Sequence, residues 1–308
     1  MMPNVVEETA QAIAAMRIRG ATRIGMEAAR AFAGAAQQAA ATGDPQWRDT
    51  LRAAAVRLVG ARPTAASPRN AVARVAAPAL ASRDAAGAAA ACGAALATLE
   101  KFVGDGAKVL AEAGAAQLPR HGTVLMHCNS QSALEVVAHA VRMGKRIDAI
   151  ATETRPWRQG LVTVRQLTER GVPARLTTDS AAAHLLHEMH LDAVVIGADA
   201  VCADGTVINK IGTRGVCLAA RDAKVPVIVA SSCLKFTRAL GDTIVIEERE
   251  GAEIATVAEI PAGVRVLNPV FDRTPGADIT YMTTEHGLAP PRQAIARALK
   301  DVPAQVPW

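Results

Sequence analysis

The chain has 308 residues, of which 50% are hydrophobic and 20% charged, so it can bury one or two ordinary cores and is not a disordered protein. Its 34 basic and 29 acidic residues give a net charge of +5. This modest excess, without an Arg- or Lys-rich run, favours an enzyme for phosphorylated metabolites over a nucleic-acid-binding protein. The aromatic residues are only three Trp, one Tyr and four Phe, which also argues against a platform for stacking bases.

Cysteine usage and the N-terminal sequence indicate the compartment. The five cysteines, at positions 92, 128, 202, 217 and 233, are an odd number without a C-x-x-C pair, which predicts a reducing compartment rather than a disulfide framework or a zinc site. Glu7 and Glu8 stand where a signal peptide needs basic residues. Alanine-rich stretches are interrupted by Arg, Asp or Gly before the ~20 residues that a membrane helix requires. We expect a cytoplasmic protein with no membrane association.

Residues 1–118 are predicted to form a helical N-terminal domain, because Ala, Arg, Glu, Gln and Leu dominate its composition. One helix is expected to end near Gly20, a second to cover residues 22–42 before the stop signal at 43–45, and a third to cover 46–59. Residues 84–114 predict one long alanine-rich helix or a helical pair. The small alanine side chains predict helices that approach one another closely.

Residues 119–308 predict a Rossmann-like domain with a doubly wound parallel sheet, because short apolar runs alternate with helical segments. Strands are expected at residues 123–126, 147–151, 174–177, 193–196 and 225–230. Helices are expected between them, at 132–143, up to about 170, at 180–189 and at 213–223. The fold class is therefore α/β.

Two reactive side chains follow predicted strands, at the sheet edge where such folds bind ligands. Cys128 follows the first strand and precedes a helix, whose dipole favours a thiolate there. Asp199 follows the fourth strand and could act as a second acid or base. Each residue alone is more typical of a structural role, as a small buried side chain or a turn cap. Their shared location favours catalysis.

Candidate anion-binding residues lie in four places. Asn209 and Lys210 precede a helix for which Thr213 is the expected N-cap, and free N–H groups at its start would suit a phosphate. Gly20, in the segment 19–22, permits a ligand to approach the backbone. Arg62 and Lys235 are further loop cations, and each alone is more typical of a solvated surface residue.

His184, His187 and His190 do not predict a metal site. The outer two are six residues apart, about 240° around a helix, so the three rings cannot face one ion. No acid or cysteine at ligand spacing supports them. We expect them to be surface residues.

Ten motifs in one order resemble the family of sugar-phosphate isomerases related to translation factor 2B. The resemblance covers most of the chain, and its motifs lie at residues 16–21, 62–65, 127–130, 153–156, 159–160, 197–199, 207–213, 235–236, 268–272 and 287–291. Several linked motifs are far more specific than any one of them. The family fold, a helical domain before a Rossmann-like domain, agrees with the domains predicted above.

The resemblance implies conversion of ribose 1,5-bisphosphate to ribulose 1,5-bisphosphate, an aldose–ketose isomerisation in nucleotide (AMP) salvage. Cys128 would move a proton between C2 and C1, and Asp199 would protonate the ring oxygen and take the hydroxyl proton. No metal, nicotinamide or flavin is needed, so we expect no cofactor. The implied substrate-binding residues are Arg19, Gly20, Ala21, Thr22, Arg62, Gln159, Asn209, Lys210 and Lys235. Thr22 departs from the glycine or proline expected there and could add a hydroxyl to the phosphate site.

Two alternatives remain open. One is isomerisation of 5-methylthioribose 1-phosphate in methionine salvage, which uses the same Cys/Asp chemistry on a substrate with one phosphate. The 18 residues before Arg19 leave little room for the N-terminal segment associated with that activity, and Lys235 suits a second phosphate better than a methylthio group. The other alternative is a non-enzymatic regulatory subunit, although such a protein has no need for both Cys128 and Asp199. The resemblance also implies a homo-oligomer, either a dimer or a trimer of dimers.

Overall fold

A computed structural model describes residues 3–256, 258–261 and 263–308, which form two compact units. The first unit contains the chain up to Gly106 together with Ser232–Arg238 and Ala298–Trp308, and the second contains Ala107–Ser231 and Ala239–Arg297. This division differs from the predicted boundary at residue 118, because it falls inside a long helix. Two later segments also belong with the first unit, which composition could not show.

The first unit is helical, as predicted. Its helices are α1 (Asn4–Ala14), α2 (Ala21–Thr42), α3 (Trp47–Gly60), α4 (Ala66–Leu80) and the first part of α5 (Ala85–Gln117). Thus α2 and α3 occupy the predicted stretches, α1 ends earlier than expected, and residues 84–114 form one helix rather than a pair. Gly43 ends α2 in a left-handed conformation, with φ of 62°.

Small side chains allow α2 and α4 to pack closely. A Cβ atom added to Gly25 would lie only 2.8 Å from the Ser67 carbonyl oxygen. Across the two helices most of the buried residues are alanines, and α2 also buries the large side chain of Phe32. The alanine-rich composition therefore sets the helix spacing.

Helix α5 is apolar and 33 residues long, which meets the length and composition required to cross a membrane. This differs from the expectation above, because glycine interrupts the alanine-rich runs without making them polar. Only 17% of its most apolar window is buried in the structure. A single helix of this kind does not assign the protein to a membrane.

The second unit contains a seven-stranded sheet with the order β10-β9-β7-β4-β1-β2-β3. Neighbouring strands are parallel except for the antiparallel edge pair β9 and β10. The predicted strands are all present, and the fully buried β4 and β7 show the continuous apolar pattern of a sheet covered on both faces. The strands of this sheet are β1 (His121–Met126), β2 (Arg146–Thr152), β3 (Ala174–Thr177), β4 (Ala193–Ile196), β7 (Val227–Ala230), β9 (Tyr281–Thr284) and β10 (Gly287–Ala289).

Helices and a smaller antiparallel sheet complete this unit. The small sheet has the order β5-β6-β8. Its strands are β5 (Ala200–Val201), β6 (Val207–Lys210) and β8 (Phe271–Thr274), and the helices are α6 (Gln131–Arg142), α7 (Gln159–Glu169), α8 (Ala182–Glu188), α9 (Thr213–Asp222) and α10 (Pro291–Ala298). The doubly wound α/β class is confirmed.

The strand order locates the point where the direction of winding reverses. From β1 the chain proceeds to β2 and β3 on one side, and then returns to place β4 on the other side of β1. In open α/β sheets, ligands bind at the carboxyl ends of the two strands that flank such a reversal. Here those strands are β1 and β4.

Candidate active site

The carboxyl ends of β1 and β4 carry the two predicted acid–base residues. Cys128 lies two residues beyond β1 and Asp199 lies three residues beyond β4. The two segments are in close contact, since a Cβ atom added to Gly197 would lie 2.5 Å from Cβ of Ser130. The fold therefore brings both predicted residues to the winding reversal of one sheet.

Backbone and side-chain hydrogen bonds hold Cys128 in an unusual conformation. Its φ of 70° lies in the left-handed region, which is unfavourable for a residue with a Cβ atom. Its N–H donates to Oγ1 of Thr154 at 2.9 Å, and its carbonyl accepts from Oγ1 of Thr163 at 3.0 Å. The thiol donates to Oε1 of Gln159 at 3.4 Å. Backbone held in this way is typical of functional sites.

Residues beyond β2 position the partners of Cys128. Backbone N–H groups of Thr154 and Arg155 each donate to the Asp179 carboxylate at 2.7 Å, which fixes the turn after β2. Gly160, at the start of α7, packs directly against the carbonyl of Thr152. This close approach sets where α7 begins and hence where Gln159 meets the thiol.

Asp199, Asn209 and Lys210 lie along the connection between β4 and α9. The Asp199 side chain is half-buried, and its N–H donates to the Ile208 carbonyl at 2.8 Å. Nδ2 of Asn209 donates to Oγ1 of Thr213 at 3.0 Å. The Lys210 ammonium lies 5.4 Å from the centroid of the Phe271 ring, a cation–π distance.

The predicted cap of α9 is wrong. Gly212, with φ of 101°, is the N-cap, because only glycine adopts this conformation readily. Thr213 instead donates its hydroxyl to the Lys210 carbonyl at 2.6 Å. Two of the N–H groups expected to be free for a phosphate, those of Gly212 and Arg214, donate to Oδ2 of Asp272 at 2.8 and 3.0 Å. Burial raises the pKa of that carboxyl to about 6.

The remaining predicted binding residues lie in the first unit. Met16 joins two of them, since its carbonyl accepts from Nε of Arg19 at 2.9 Å and its sulfur lies 3.3 Å from Nη1 of Arg62. Gly20 is the N-cap of α2, with φ of 88° and no atom within 4 Å of an added Cβ. Ala21 and Thr22 form the first turn of that helix.

Lys235 is buried rather than exposed in a loop. It ends a short 3-10 helix, Cys233–Lys235, and its relative exposure is 6%. Asn70 of α4 holds this segment, because its Nδ2 donates to the carbonyls of Leu234 at 2.9 Å and Phe236 at 2.7 Å. The predicted solvated loop cation is therefore a buried residue held by the fold of the first unit.

Three of the other cysteines have unreactive thiols, and two of the histidines lie beside different acids. Burial raises the pKa of the thiols of Cys92, Cys202 and Cys217 to about 12, so these thiols are inert near neutral pH. His187 lies 3.2 Å from Asp222, whereas His190 lies 3.8 Å from Asp192. The two rings thus face different acids.

The sequence reasoning missed several residues that shape the site. They are His127, Thr152, Thr154, Asp179 and Asp272. His127 could have been noted for its position beside Cys128. Thr154 and Asp272 lie within the motifs at 153–156 and 268–272, but no role was predicted for either residue. No motif includes Thr152 or Asp179, whose contacts join segments that are distant along the chain.

Comparison with known proteins agrees with the fold. The model of the initiation factor 2 subunit family matches residues 17–291. A ribose 1,5-bisphosphate isomerase from Archaeoglobus fulgidus is 38% identical over 297 residues, covering 94% of this chain and 91% of that protein. A methylthioribose-1-phosphate isomerase from Chloroflexus aurantiacus is 37% identical over 311 residues, covering 94% and 89%. The crystal structure of 5-methylthioribose 1-phosphate isomerase from Pyrococcus horikoshii OT3 superimposes with a TM-score of 0.80 at 28% identity, covering 96% and 87%.

A doubly wound α/β unit with a cysteine and an aspartate at its winding reversal defines the class: an α/β protein equipped for acid–base chemistry on a small ligand. The family match spans most of the chain. The chain belongs to the initiation factor 2 subunit family, which confirms the resemblance found in the sequence.

Proposed function

We propose that this protein isomerises ribose 1,5-bisphosphate to ribulose 1,5-bisphosphate. The observation that carries the proposal is the placement of Cys128 and Asp199 at adjacent strand ends, with the thiol against Gln159. A protein that only binds a ligand has no need to hold a cysteine in a left-handed conformation beside an acid. The identity to ribose 1,5-bisphosphate isomerases supports the choice of substrate.

We assign each proton transfer in the reaction to Asp199 or Cys128. Asp199 protonates the ring oxygen O4 as the C1–O4 bond breaks. Cys128 acts as the thiolate, which takes the proton from C2 to become the thiol and then gives that proton to C1 to become the thiolate again. The C2 hydroxyl gives its proton back to Asp199, so that C2 becomes a carbonyl and both side chains regain their starting states. Because hydrogen moves within one molecule, the reaction needs no external hydride acceptor.

Gln159 supports Cys128 in this scheme. Its amide oxygen accepts a hydrogen bond from the Cys128 thiol, which orients the sulfur before the substrate is bound and the thiolate forms. We assign its amide nitrogen to donate to a hydroxyl of the bound sugar. We assign it to orientation of both groups.

The proposed substrate-binding residues provide cations for two phosphates. In the first unit these are Arg19 and Arg62, with the backbone of Gly20, Ala21 and Thr22 at the start of α2, where N–H groups favour an anion. Lys235, in the same unit, is assigned to a second phosphate. Asn209 and Lys210 complete the proposed set of substrate-binding residues.

The test follows two substrates by phosphorus and proton NMR, ribose 1,5-bisphosphate and 5-methylthioribose 1-phosphate, each with purified protein. We expect conversion of the bisphosphate to ribulose 1,5-bisphosphate while the thio-sugar is unchanged. Conversion of the thio-sugar alone would assign the protein to methionine salvage. Binding of either compound without turnover would support a regulatory subunit and contradict the catalytic roles of Cys128 and Asp199.

We also propose that the enzyme acts in the cytoplasm, in nucleotide salvage, as a homo-oligomer. Five free cysteines suit a reducing compartment. Exposed apolar side chains of Val245, Val264 and Leu267 offer surface that a second copy would cover. Light scattering coupled to gel filtration should give a mass that is a multiple of 31.9 kDa, and a monomer would contradict this proposal.

A further inference from the structure

The ring of His127 lies between two segments of the candidate site. Its side chain is buried, with 2% relative exposure, directly after β1 and before Cys128. Nδ1 lies 2.6 Å from Oγ1 of Thr152, at the end of β2. Nε2 lies 2.8 Å from the carbonyl oxygen of Ile211, in the loop before α9. One ring therefore bridges two loops of the sheet edge.

The chemistry of these contacts fixes the tautomer. A carbonyl oxygen only accepts, so Nε2 of His127 carries the proton and donates to Ile211. Burial lowers the pKa of His127, which keeps the ring neutral. Nδ1 is then an acceptor, and the Thr152 hydroxyl donates to it. Each ring nitrogen has one defined partner, and neither is available to take a substrate proton.

The hydroxyls of Thr152 and Thr154 connect the His127 ring to the backbone of Cys128. Oγ1 of Thr152 lies 3.3 Å from Oγ1 of Thr154, which accepts from the Cys128 N–H at 2.9 Å. The left-handed backbone of Cys128 is unfavourable and persists only where its surroundings hold it. The chain from the ring through the two hydroxyls supplies one of these restraints.

Towards the other loop, the ring also sets the backbone beside Lys210. Ile211, whose carbonyl accepts from Nε2, directly follows Lys210. A Cβ atom added to Gly212 would lie 3.0 Å from Cε1 and Nε2 of His127, so this loop packs on the ring edge as well as bonding to it. The position of the ring therefore determines where the Lys210 segment lies.

We infer that His127 is a positioning residue, which sets the Cys128 backbone through Thr152 and the Lys210 loop through Ile211. The inference rests on the proposed function and deepens it. It names the residue that holds Cys128 and the substrate-binding Lys210 loop in position relative to each other. His127 touches neither reacting atom in this account. It acts through its two hydrogen bonds, and these can be removed one at a time.

Two substitutions separate the two bonds. In His127→Asn, the amide oxygen replaces Nδ1 and still accepts from Thr152, but the side chain is too short to reach Ile211. In His127→Gln, the amide nitrogen replaces Nε2 and still donates to Ile211, while Thr152 loses its acceptor. The same two changes at exposed His184 serve as matched controls.

We expect opposite kinetic signatures. Loss of the Ile211 bond in His127→Asn should raise KM for ribose 1,5-bisphosphate about 10-fold and leave kcat within about 3-fold. Loss of the Thr152 bond in His127→Gln should lower kcat about 10-fold or more and leave KM nearly unchanged. Thr152→Val should reproduce the effect of His127→Gln, and Thr152→Ser, which keeps the hydroxyl, should restore kcat.

A second readout does not depend on turnover. The rate at which iodoacetamide alkylates Cys128 should change about 3-fold or more in His127→Gln and Thr152→Val, and stay near the wild-type rate in His127→Asn and Thr152→Ser. In a contrary outcome, all variants show a lower kcat, a higher KM and an altered alkylation rate, each in proportion to the variant's loss of unfolding free energy. His127 is then merely structural, and the inference fails. Wild-type protein that turns over neither sugar phosphate would overturn the proposed function, whereas the alkylation pattern would still decide the role of His127.

Discussion

Replacing Gly160 with alanine tests the geometry that places Gln159 against Cys128. The added methyl group would overlap the Thr152 carbonyl oxygen and lie 2.8 Å from the Thr152 carbonyl carbon and 2.9 Å from Cα of Glu153. These are backbone atoms, so no rotamer change relieves the overlap. The first turn of α7 has to move, and Gln159 moves with it.

The overlap is expected to lower both the free energy of unfolding and kcat/KM. Overpacking against a rigid backbone lowers the free energy of unfolding by about 3 kcal/mol. A displacement of about 1 Å at a group that orients a catalytic residue lowers kcat/KM about 100-fold. Urea unfolding measures the first quantity, and the bisphosphate isomerase assay measures the second.

The matched control is Gly215→Ala in α9. This glycine also lies in a helix of the second unit, but no atom lies within 4 Å of its added Cβ. Alanine there should raise the unfolding free energy by about 0.5–1 kcal/mol, because it favours the helix. If Gly160→Ala unfolds at the wild-type urea concentration and keeps full activity, the close approach of α7 to β2 is not what positions Gln159.

Three further predictions concern titration, reactivity and packing. Asp272 has a pKa of about 6 when folded against 3.8 when free, so its ionisation destabilises the fold as pH rises through that window. Between pH 4.5 and 7.5, Asp272→Asn should therefore gain about 2 kcal/mol of unfolding free energy relative to wild type, and a constant difference would contradict the assignment. Iodoacetamide should modify Cys128 alone in the native protein, and mass spectrometry showing label on Cys92 would refute the account of its burial. Asn70→Ala removes both bonds that hold the Lys235 segment, so it should lower the unfolding free energy by about 1–3 kcal/mol and weaken bisphosphate binding, which calorimetry measures.

Elements with a strong local signal were predictable from the sequence. Helix α2 carries its own stop at Gly43, and the apolar runs of β4 and β7 mark strands buried on both faces. Cys128 and Asp199 were found because parallel strands place their carboxyl ends together. These predictions need only neighbouring residues and one topological rule.

Long-range contacts account for what the sequence did not show. The cap of α9 comes from Asp272, 58 residues beyond Arg214, and it replaced the local cap expected from Thr213. The burial of Lys235 depends on Asn70, 164 residues before Leu234. Hydrophobic periodicity in the sequence does not indicate such pairs, because each contact forms only when segments distant in the chain come together.

The composition of the first unit has a consequence for how the protein is made. Its helical part is synthesised first, but Ser232–Arg238 and Ala298–Trp308 leave the ribosome much later. Arg74 of α4 donates to the Asp301 carbonyl at 2.9 Å. This hydrogen bond can form only after almost the entire polypeptide has been synthesised. The helical part of the first unit therefore cannot make its final contacts until the whole sheet of the second unit has been translated. Cutting the gene after residue 118 would yield a fragment that lacks Lys235 and both closing segments.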